Sequence, residues 1–396
     1  MAKILFTWEI GEGSGHIAPY LRVINALEKH GHEIYFAVKN LSKSYNLFKG
    51  TKVRYIQAPS MLSPDAELVD PIDSYAKILN NSGYSSIPQL AGMIGAWRHL
   101  FMLIQPDLII ADYSPTAVLA SRESGIPRLQ IATGFYIMPK QGRIPNLFEL
   151  QGIAHDNTLI LGFQNKILSN INTALELNDM QKIALFNDSQ DCQRTLFRTF
   201  PEFDHYPTRE PVEYIGLLNA SRGTEPHWPV ANGPKVFAYL KPFPTLPQLL
   251  MQLKQRQCAT LIYPDSISAK LIRDFESDTL KFIDDPLDIR AVGDSADFAI
   301  HNGNHGTACE VLLAGLPALV LPIQAEQAIM GQRLSQMKTG VSTVDKTVDE
   351  LHAALNTLCD TTELQENARA FAKKYKDFDR SAPVARIVEV VEEMLR

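Results

Sequence analysis

The chain contains 396 residues, of which 45% are hydrophobic and 21% are charged, and its formal net charge is −6. This length exceeds what one hydrophobic core usually supports and suggests about two domains. The composition is that of a globular protein, and the acidic balance gives no reason to expect nucleic acid or an anionic membrane surface as a partner.

Targeting signals and cysteine pairs are not evident. The four cysteines have neither metal-ligand nor redox spacing, which favours a reducing compartment; they are Cys192, Cys258, Cys309 and Cys359. The first residues lack the long apolar segment of a signal peptide. No window reaches the roughly 20 apolar residues that a membrane span needs. We therefore expect a cytoplasmic protein without stable membrane insertion.

The N-terminal half alternates predicted strands and helices. The strand segments are KILFTWEI, HEIYFAVK, KVRYIQAP, PDLIIAD and RLQIATG, and the helical segments are APYLRVINALEKHG and PTAVLASRESG. Strands that are apolar along their whole length indicate a parallel sheet covered by helices on both faces. Two irregular segments, residues 59–100 and 134–152, follow such strands, where α/β proteins build ligand sites. Their Met and aromatic content suits an apolar ligand and equally suits half-buried loops.

The C-terminal half repeats this alternation, with predicted strands KVFAYLK, CATLIYP, LKFID, DFAIHN and PALVLPI. Between the halves lies a stretch rich in Pro, Gly and small polar residues, which predicts a linker. We therefore expect an N-terminal domain over 1–220, a linker over 221–234 and a C-terminal domain over 235–379. Residues 380–396 form an amphipathic helix, which we expect to pack back on the N-terminal domain.

One stretch of the C-terminal half, HNGNHGTACEVLLAGLPALVLPIQAEQ, begins at His301 and combines a strand end, a Gly-rich turn and a helix start. Backbone N–H groups at a helix start are unpaired, and the helix dipole adds partial positive charge. Small residues there let an anion approach closely, so Gly303, Gly306 and Thr307 predict a phosphate site.

Three carboxylate and amide residues extend this prediction. Glu310 lies about one turn into the helix, where its carboxylate is suited to accept hydrogen bonds from a ribose diol. Glu326 and Gln327 follow the next strand at the same edge of the sheet, and such a pair suits the hydroxyls of a sugar. The alternative is a plain strand-turn-helix unit whose glycines serve geometry and whose Glu lies on a solvated face.

The whole pattern, H-x-G-x-x-G-T-x-x-E-x-L-x-x-G-x-P-x-x-x-x-P-x-x-x-E-Q, resembles the nucleotide-sugar signature of the UDP-glycosyltransferase superfamily, including its macrolide and plant natural-product members. The resemblance implies an α/β GT-B fold, in which two Rossmann-like, doubly wound parallel-sheet domains face each other across a cleft. It also implies that the Gly-Thr turn holds the diphosphate of a UDP- or dTDP-sugar co-substrate, that Glu310 holds the ribose, and that Glu326 and Gln327 hold the donor sugar. No other cofactor is expected.

Two departures from the family pattern leave alternatives open. The family's His lies eight residues before its Glu, and Asn302 occupies that position here, while His301 lies one residue further back. Either the turn has an extra residue or Asn302 takes the role of the His. The Trp-x-Pro-Gln segment of plant enzymes is also replaced by FIDDPLD, so the nucleotide base cannot stack on a Trp there and its identity stays open.

The first loop, GEGSGH, ends in His16. Its glycines lack the third position of a dinucleotide fingerprint, and no Walker A lysine follows. Asp112 follows the buried strand PDLIIAD, so both side chains are expected at the carboxyl edge of one sheet. A His oriented by a carboxylate is the usual arrangement of a general base, whereas the alternatives are a structural His and an Asp in a strand-end turn. In the family that the sequence resembles, this His and Asp deprotonate the acceptor.

The resemblance therefore predicts an inverting, metal-independent hexosyltransferase that acts on a hydroxyl of an apolar small-molecule or lipid acceptor. The helix dipole at Gly306 and Thr307 would stabilise the departing diphosphate, and no cluster with convincing metal-ligand spacing is present. Three alternatives remain: a catalytically silent sugar-nucleotide binder that activates another transferase, a UDP-sugar 2-epimerase, and a lipid-linked peptidoglycan N-acetylglucosaminyltransferase, whose further Gly-rich motifs are missing. The sequence does not indicate an oligomeric state.

Overall fold

The computed structural model describes residues 1–61, 63, 68–140, 144–154, 156–206, 209–218 and 223–396. The chain divides into two compact units. The first unit comprises Met1–Glu149, Ile153–Ala220 and Arg380–Arg396, and the second comprises Leu150–Gly152 and Ser221–Asp379. The expected linker begins outside the described residues, and its remainder, from Gly223 to Pro234, belongs to the second unit and contains no helix or strand.

The first unit is built on a six-stranded sheet in which every described strand pair is parallel. Its strands are β1 Lys3–Thr7, β2 Glu33–Val38, β3 Arg54–Gln57, β4 Leu108–Ala111, β5 Arg128–Ala132 and β6 Arg194–Phe197. They lie in the order β3-β2-β1-β4-β5-β6. The two central strands, β1 and β4, are almost entirely buried, as expected for a sheet covered on both faces.

The second unit has a sheet of the same kind, again with six parallel strands. Its strands are β7 Lys235–Leu240, β8 Ala259–Pro264, β9 Leu280–Phe282, β10 Phe298–His301, β11 Ala318–Val320 and β12 Gly340–Ser342. Their order is β12-β11-β10-β7-β8-β9. When the strands of each unit are numbered from one, both sheets have the doubly wound order 3-2-1-4-5-6. The expected α/β architecture is confirmed.

Helices connect the strands of both sheets. Their bounds are α1 Leu21–Lys29, α2 Leu41–Phe48, α3 Tyr75–Leu79, α4 Ile87–Ile104, α5 Pro115–Ala120, α6 Leu147–Leu150, α7 Thr158–Glu176, α8 Leu246–Gln255, α9 Ala269–Phe275, α10 Ile289–Gly293, α11 His305–Leu313, α12 Ala325–Gln336, α13 Val348–Asp360, α14 Thr362–Lys374 and α15 Ala382–Met394. Short 3₁₀ turns lie at Ser14–His16, Ala18–Tyr20, Phe186–Gln190 and Pro201–Phe203, and a π-helical turn at Asn80–Tyr84.

The last helix, α15, completes the core of the first unit. Its apolar residues Ile387, Val390 and Val391 are fully buried in the same cluster as Val23 and Leu27 of α1. Each buried aliphatic side chain of this size contributes about 1.5–3 kcal/mol relative to exposure. The i, i+3, i+4 spacing of these residues therefore explains why this segment docks on α1.

The strand order reverses at one place in each sheet, between β1 and β4 and between β7 and β10. At such a switch point the connections leave toward opposite faces, which opens a crevice at the carboxyl ends of the two strands. His16 follows β1 and Asp112 follows β4, whereas the Gly-rich turn at residues 302–307 follows β10. His16, Asp112 and the Gly-rich turn thus lie at the switch points, whereas Glu326 and Gln327 follow the neighbouring strand β11.

Candidate functional site

His16 and Asp112 are in contact in the first unit, although 96 positions separate them in the sequence. Nδ1 of His16 lies 3.2 Å from Oδ1 of Asp112, and the two side chains are 15% and 3% exposed. The ring of Trp8 stacks on the imidazole at 5.3 Å with an interplanar angle of 14°. The imidazole is therefore held between an aromatic face and a carboxylate.

Two further side chains hold the Asp112 carboxylate. The hydroxyl of Tyr136 donates to Oδ1, and Nη2 of Arg198 lies 3.5 Å from Oδ2. Burial acts to raise the pKa of Asp112, but the charges of His16 and Arg198 and the hydrogen bonds outweigh it and hold this pKa below its usual value. Asp112 is thus ionised at neutral pH, and its carboxylate accepts a hydrogen bond from Nδ1–H of His16. This tautomer leaves the lone pair on Nε2, the atom that a base uses.

A second carboxyl group lies close to the end of β1. The side chain of Glu9 accepts hydrogen bonds from the backbone N–H groups of Thr116 and Ala117, at 3.1 Å and 2.6 Å, at the start of α5. Burial raises the pKa of Glu9 to about 8, because the loss of hydration exceeds the stabilisation by these hydrogen bonds. Glu9 is therefore mostly protonated at neutral pH.

Sequence reasoning did not identify Glu9, Tyr136 or Arg198. Tyr136 follows β5, and Arg198 follows β6, a strand that the apolar pattern did not predict. The backbone N–H of Arg198 donates to the carbonyl of Ala132 at 2.8 Å, which continues the pairing of β6 with β5. For Glu9 and Tyr136 the usable signal was positional, because both follow predicted strands that end at the same edge of the sheet as the strands before His16 and Asp112.

In the second unit, the start of the Gly-rich turn is packed inside the protein. Nδ1 of the fully buried His301 accepts the N–H of Gly303 at 2.9 Å. Burial lowers the pKa of His301 to about 4, so the ring is neutral. Asn302 is 1% exposed, donates to the carbonyl of Leu321 at 2.8 Å and accepts from the N–H of Lys241 at 2.9 Å. His301 and Asn302 thus shape the turn, and a direct contact of either with a donor stays a prediction.

The turn itself depends on a glycine conformation. Gly303 has φ +87°, and a Cβ there would lie 2.8 Å from the carbonyl oxygen of Gln327. Gly306, by contrast, is exposed, and nothing lies within 4 Å of the place where its Cβ would be. The second residue of α11 therefore borders open space, and the N–H groups of a first helical turn have no acceptor within their own helix.

The remaining predicted donor residues differ in their surroundings. Thr307, Glu310 and Glu326 are partly exposed. Gln327 is 2% exposed, accepts from the N–H of Ile323 at 2.8 Å and donates to Oδ1 of Asn304 at 2.7 Å. Gln327 therefore joins the starts of α11 and α12. The predicted donor residues thus lie at the end of β10, in the turn and the helix α11 that follow it, and at the start of α12 after β11.

The described residues contain neither a metal-binding cluster nor a membrane-spanning helix. No group of three or more His, Cys, Asp and Glu residues is arranged to hold a metal ion in the described part of the chain. Among the described helices, none has both the length and the apolar character needed to span a membrane.

The chain resembles solved structures in fold. No family model matches it, and no curated protein matches it. The glycosyltransferase of kitacinnamycin is 17% identical with a TM-score of 0.72, over 100% of this chain and 99% of that chain. The calicheamicin glycosyltransferase CalG4 is 16% identical with a TM-score of 0.72, over 100% and 98%. The glycosyltransferase VinC in complex with dTDP is 17% identical with a TM-score of 0.69, over 99% of each chain. The fold expected from the sequence, that of GT-B glycosyltransferases, is thereby confirmed.

Proposed function

We propose that this protein is an inverting glycosyltransferase that moves a hexose from a dTDP- or UDP-sugar to a hydroxyl of an apolar acceptor in the cytoplasm. The observation that carries the proposal is the contact of 3.2 Å between His16 and Asp112 at the switch point of the first sheet. A buried carboxylate that fixes one imidazole tautomer is the arrangement that a general base near neutral pH requires.

In the proposed reaction, Nε2 of His16 removes the proton from the acceptor hydroxyl. The hydroxyl oxygen forms a bond to the anomeric carbon of the donor sugar, and the bond from that carbon to the diphosphate oxygen breaks. The diphosphate leaves with the bonding electron pair from the opposite face, which inverts the configuration. Asp112 stabilises the imidazolium that forms.

The start of α11 is the proposed place of the diphosphate. Gly306 and Thr307 offer backbone N–H groups beside open space, and the positive end of the helix dipole favours the charge that develops on the leaving group. This electrostatic stabilisation requires no metal ion. We assign His301, Asn302 and Gly303 to shaping the turn, Glu310 to the ribose, and Glu326 with Gln327 to the sugar.

The solved structures of similar fold support one choice of nucleotide. VinC and the glycosyltransferase SsfS6 were both solved with thymidine diphosphate bound. We therefore expect dTDP to bind more tightly than UDP. A thermal-shift comparison of dTDP, UDP and GDP measures this, and stabilisation by none of the three would remove the support for a donor site.

The base assignment is tested with His16→Ala. Transfer from dTDP-glucose or UDP-glucose to a panel of hydroxylated aromatic acceptors should fall by at least 10²-fold, the lower end of general-base contributions, while the affinity for the nucleotide stays unchanged. The matched control is His30→Ala, because His30 also contacts a carboxylate, Glu392, at 3.0 Å, but lies on the surface. Turnover at an unchanged rate in His16→Ala would overturn the assignment. A protein that binds nucleotide but shows no transfer with any acceptor would favour a silent binder.

A further inference from the structure

Arg198 contacts Asp112 and Gly15, the residue before His16. Its Nη2 lies 3.5 Å from Oδ2 of Asp112, on the carboxylate oxygen that the imidazole does not use. The same nitrogen donates to the carbonyl oxygen of Gly15, the residue before His16, at 3.2 Å. One guanidinium therefore links the carboxylate and the turn that carries the imidazole.

Arg198 makes these contacts inside the protein. Its side chain is 7% exposed, that of Asp112 is 3% exposed, and its guanidinium lies over the ring of Tyr20 at 5.7 Å from the ring centroid. A separation of 3.5 Å is longer than a charge-assisted hydrogen bond of about 2.7–2.9 Å. The interaction with Asp112 is thus mainly one of charge, and in low-dielectric surroundings charge acts strongly.

Arg198 places a positive charge beside the carboxylate that also faces His16. Protonation of His16 would bring a second positive charge to that carboxylate, and a like charge nearby disfavours the charged form of a titratable group. Without Arg198 this repulsion is absent, while the attraction of Asp112 for an imidazolium remains. The guanidinium therefore favours the neutral imidazole.

We propose that Arg198 is a positioning residue that keeps His16 in its neutral, proton-accepting form and fixes the turn that carries it. The inference deepens the proposed function, since a base must be unprotonated before the acceptor binds. It concerns the protonation of one side chain and can be measured without any substrate.

Other charged and titratable groups also face His16. The carboxylate of Glu12 is electrostatically coupled to His16 and forms an ion pair of 2.7 Å with Lys39. The centroid of the Tyr113 ring lies 6.2 Å from that of the imidazole. The hydroxyl of Tyr136 donates to Oδ1 of Asp112, the same oxygen that faces His16. These groups are unchanged in a variant at position 198, so a change in the titration of His16 in that variant reports the removed guanidinium.

The experiment follows the imidazole directly. In protein labelled with ¹³C at the histidine Cε1, the signal of His16 is assigned by its loss in His16→Asn, and its chemical shift is followed from pH 4.5 to 9. We expect the titration of the His16 signal to move to higher pH in Arg198→Met, because a positive charge near the imidazole is removed, and to return close to its original position in Arg198→Lys. An unchanged pKa of His16 in folded Arg198→Met would overturn the proposal.

The chain offers a matched control in Arg209. This arginine is also buried, contacts Asp204 at 2.7 Å, donates to the carbonyl of Gly134 at 2.9 Å and lies over an aromatic ring. Arg209→Met should destabilise the protein without moving the pKa of His16; an equal rise in both variants would overturn the inference.

Two further results separate the inference from the function. If Arg198→Met does not fold, Arg198→Gln carries the same test, because it removes the charge and keeps a donor. Loss of transfer in His16→Ala with no titration change in Arg198 variants would leave the proposed function standing and reject the role of Arg198. Unchanged transfer in His16→Ala, together with the expected titration change in Arg198→Met, would reject the proposed function and leave the role of Arg198 standing.

Discussion

A Cβ atom on Gly11 would lie 2.5 Å from Nε2 of His16, the ring nitrogen that does not face Asp112. The glycine therefore leaves space beside the atom that we assign as the base. The ring has little freedom to move aside, because Asp112 holds its other nitrogen and Trp8 stacks on its face. Gly11 has φ +90°, a conformation that other residues seldom adopt.

We predict that Gly11→Ala displaces the imidazole and lowers transfer by at least about tenfold, a loss typical of a misplaced catalytic group, without changing the affinity of the second unit for dTDP. Gly13 provides the control, since it has the same φ of +90° and nothing within 4 Å of its Cβ position. Gly13→Ala therefore introduces similar backbone strain with no contact to His16. Steady-state rates and a dTDP titration compare the two variants, and equal losses of rate in both would contradict the prediction.

The two glycines of the C-terminal turn should respond in opposite ways to substitution by alanine. At Gly306, on the first turn of α11 and beside open space, alanine should leave stability unchanged or raise it by up to about 1 kcal/mol. Its methyl group would occupy the place proposed for the diphosphate, so the affinity for dTDP should fall. Gly303→Ala should lower the free energy of unfolding by about 1–3 kcal/mol, because of its positive φ and the nearby carbonyl of Gln327.

Denaturant titration and calorimetric binding measure both quantities. Unchanged dTDP affinity in folded Gly306→Ala would show that this helix start does not hold the diphosphate. A stable Gly303→Ala would show that the backbone of the turn adjusts without strain.

Much of the fold could be predicted because parallel strands have continuous apolar runs. The two strands that the pattern missed, β6 and β12, are short, and their sequences RTLF and GVS contain polar or small residues. The helix α4 lies in a region that looked irregular, since Gly92 and Gly95 interrupt its pattern. Its buried residues Leu90, Ile94, Trp97 and Phe101 nevertheless follow helical spacing, and the packed neighbours decided its structure.

Prediction of the site was limited in the same way, because it depended on which strands could be predicted. The contact of His16 with Asp112 was predictable, because both follow strands that share one sheet edge. Arg198 was not, because its position depends on β6, which the sequence pattern did not reveal. Likewise, spacing alone could not show that Gln327 is used inside the protein, since that depends on its contact with Asn304 across two loops.

Gln327 and Glu326 are adjacent, and we predict different consequences for their loss. Gln327→Ala removes the acceptor of the N–H of Ile323 and the donor to Asn304, so the free energy of unfolding should fall by about 1–3 kcal/mol. Glu326 is only partly buried, and Glu326→Ala should cost less stability while reducing the affinity for dTDP-glucose more than that for dTDP. Equal ratios of the two affinities in Glu326→Ala and in the original protein would contradict a sugar contact.

The buried carboxyl of Glu9 should make the protein less stable as the pH rises through neutrality. Its pKa is about 8 in the folded protein and close to 4.5 in the unfolded chain. Between these values the folded state keeps a proton that the unfolded state has released, so the free energy of unfolding falls with increasing pH. His301, whose pKa falls from 6.5 to about 4 on folding, has the opposite effect below pH 6.5.

The effect of Glu9 is therefore clearest between pH 6.5 and 8, where the opposite effect of His301 is absent. Over this range the ionisation of Glu9 should lower the free energy of unfolding by about 2 kcal/mol. Denaturant titrations of the original protein and of Glu9→Gln across this range isolate it, because every other titrating group is common to both. The amide of Gln keeps an acceptor for one of the two N–H groups of α5 and carries no proton that is lost with pH. The stability of Glu9→Gln should thus decline less over this range, and parallel declines in the two proteins would mean that Glu9 is already ionised at pH 6.5 in the folded state.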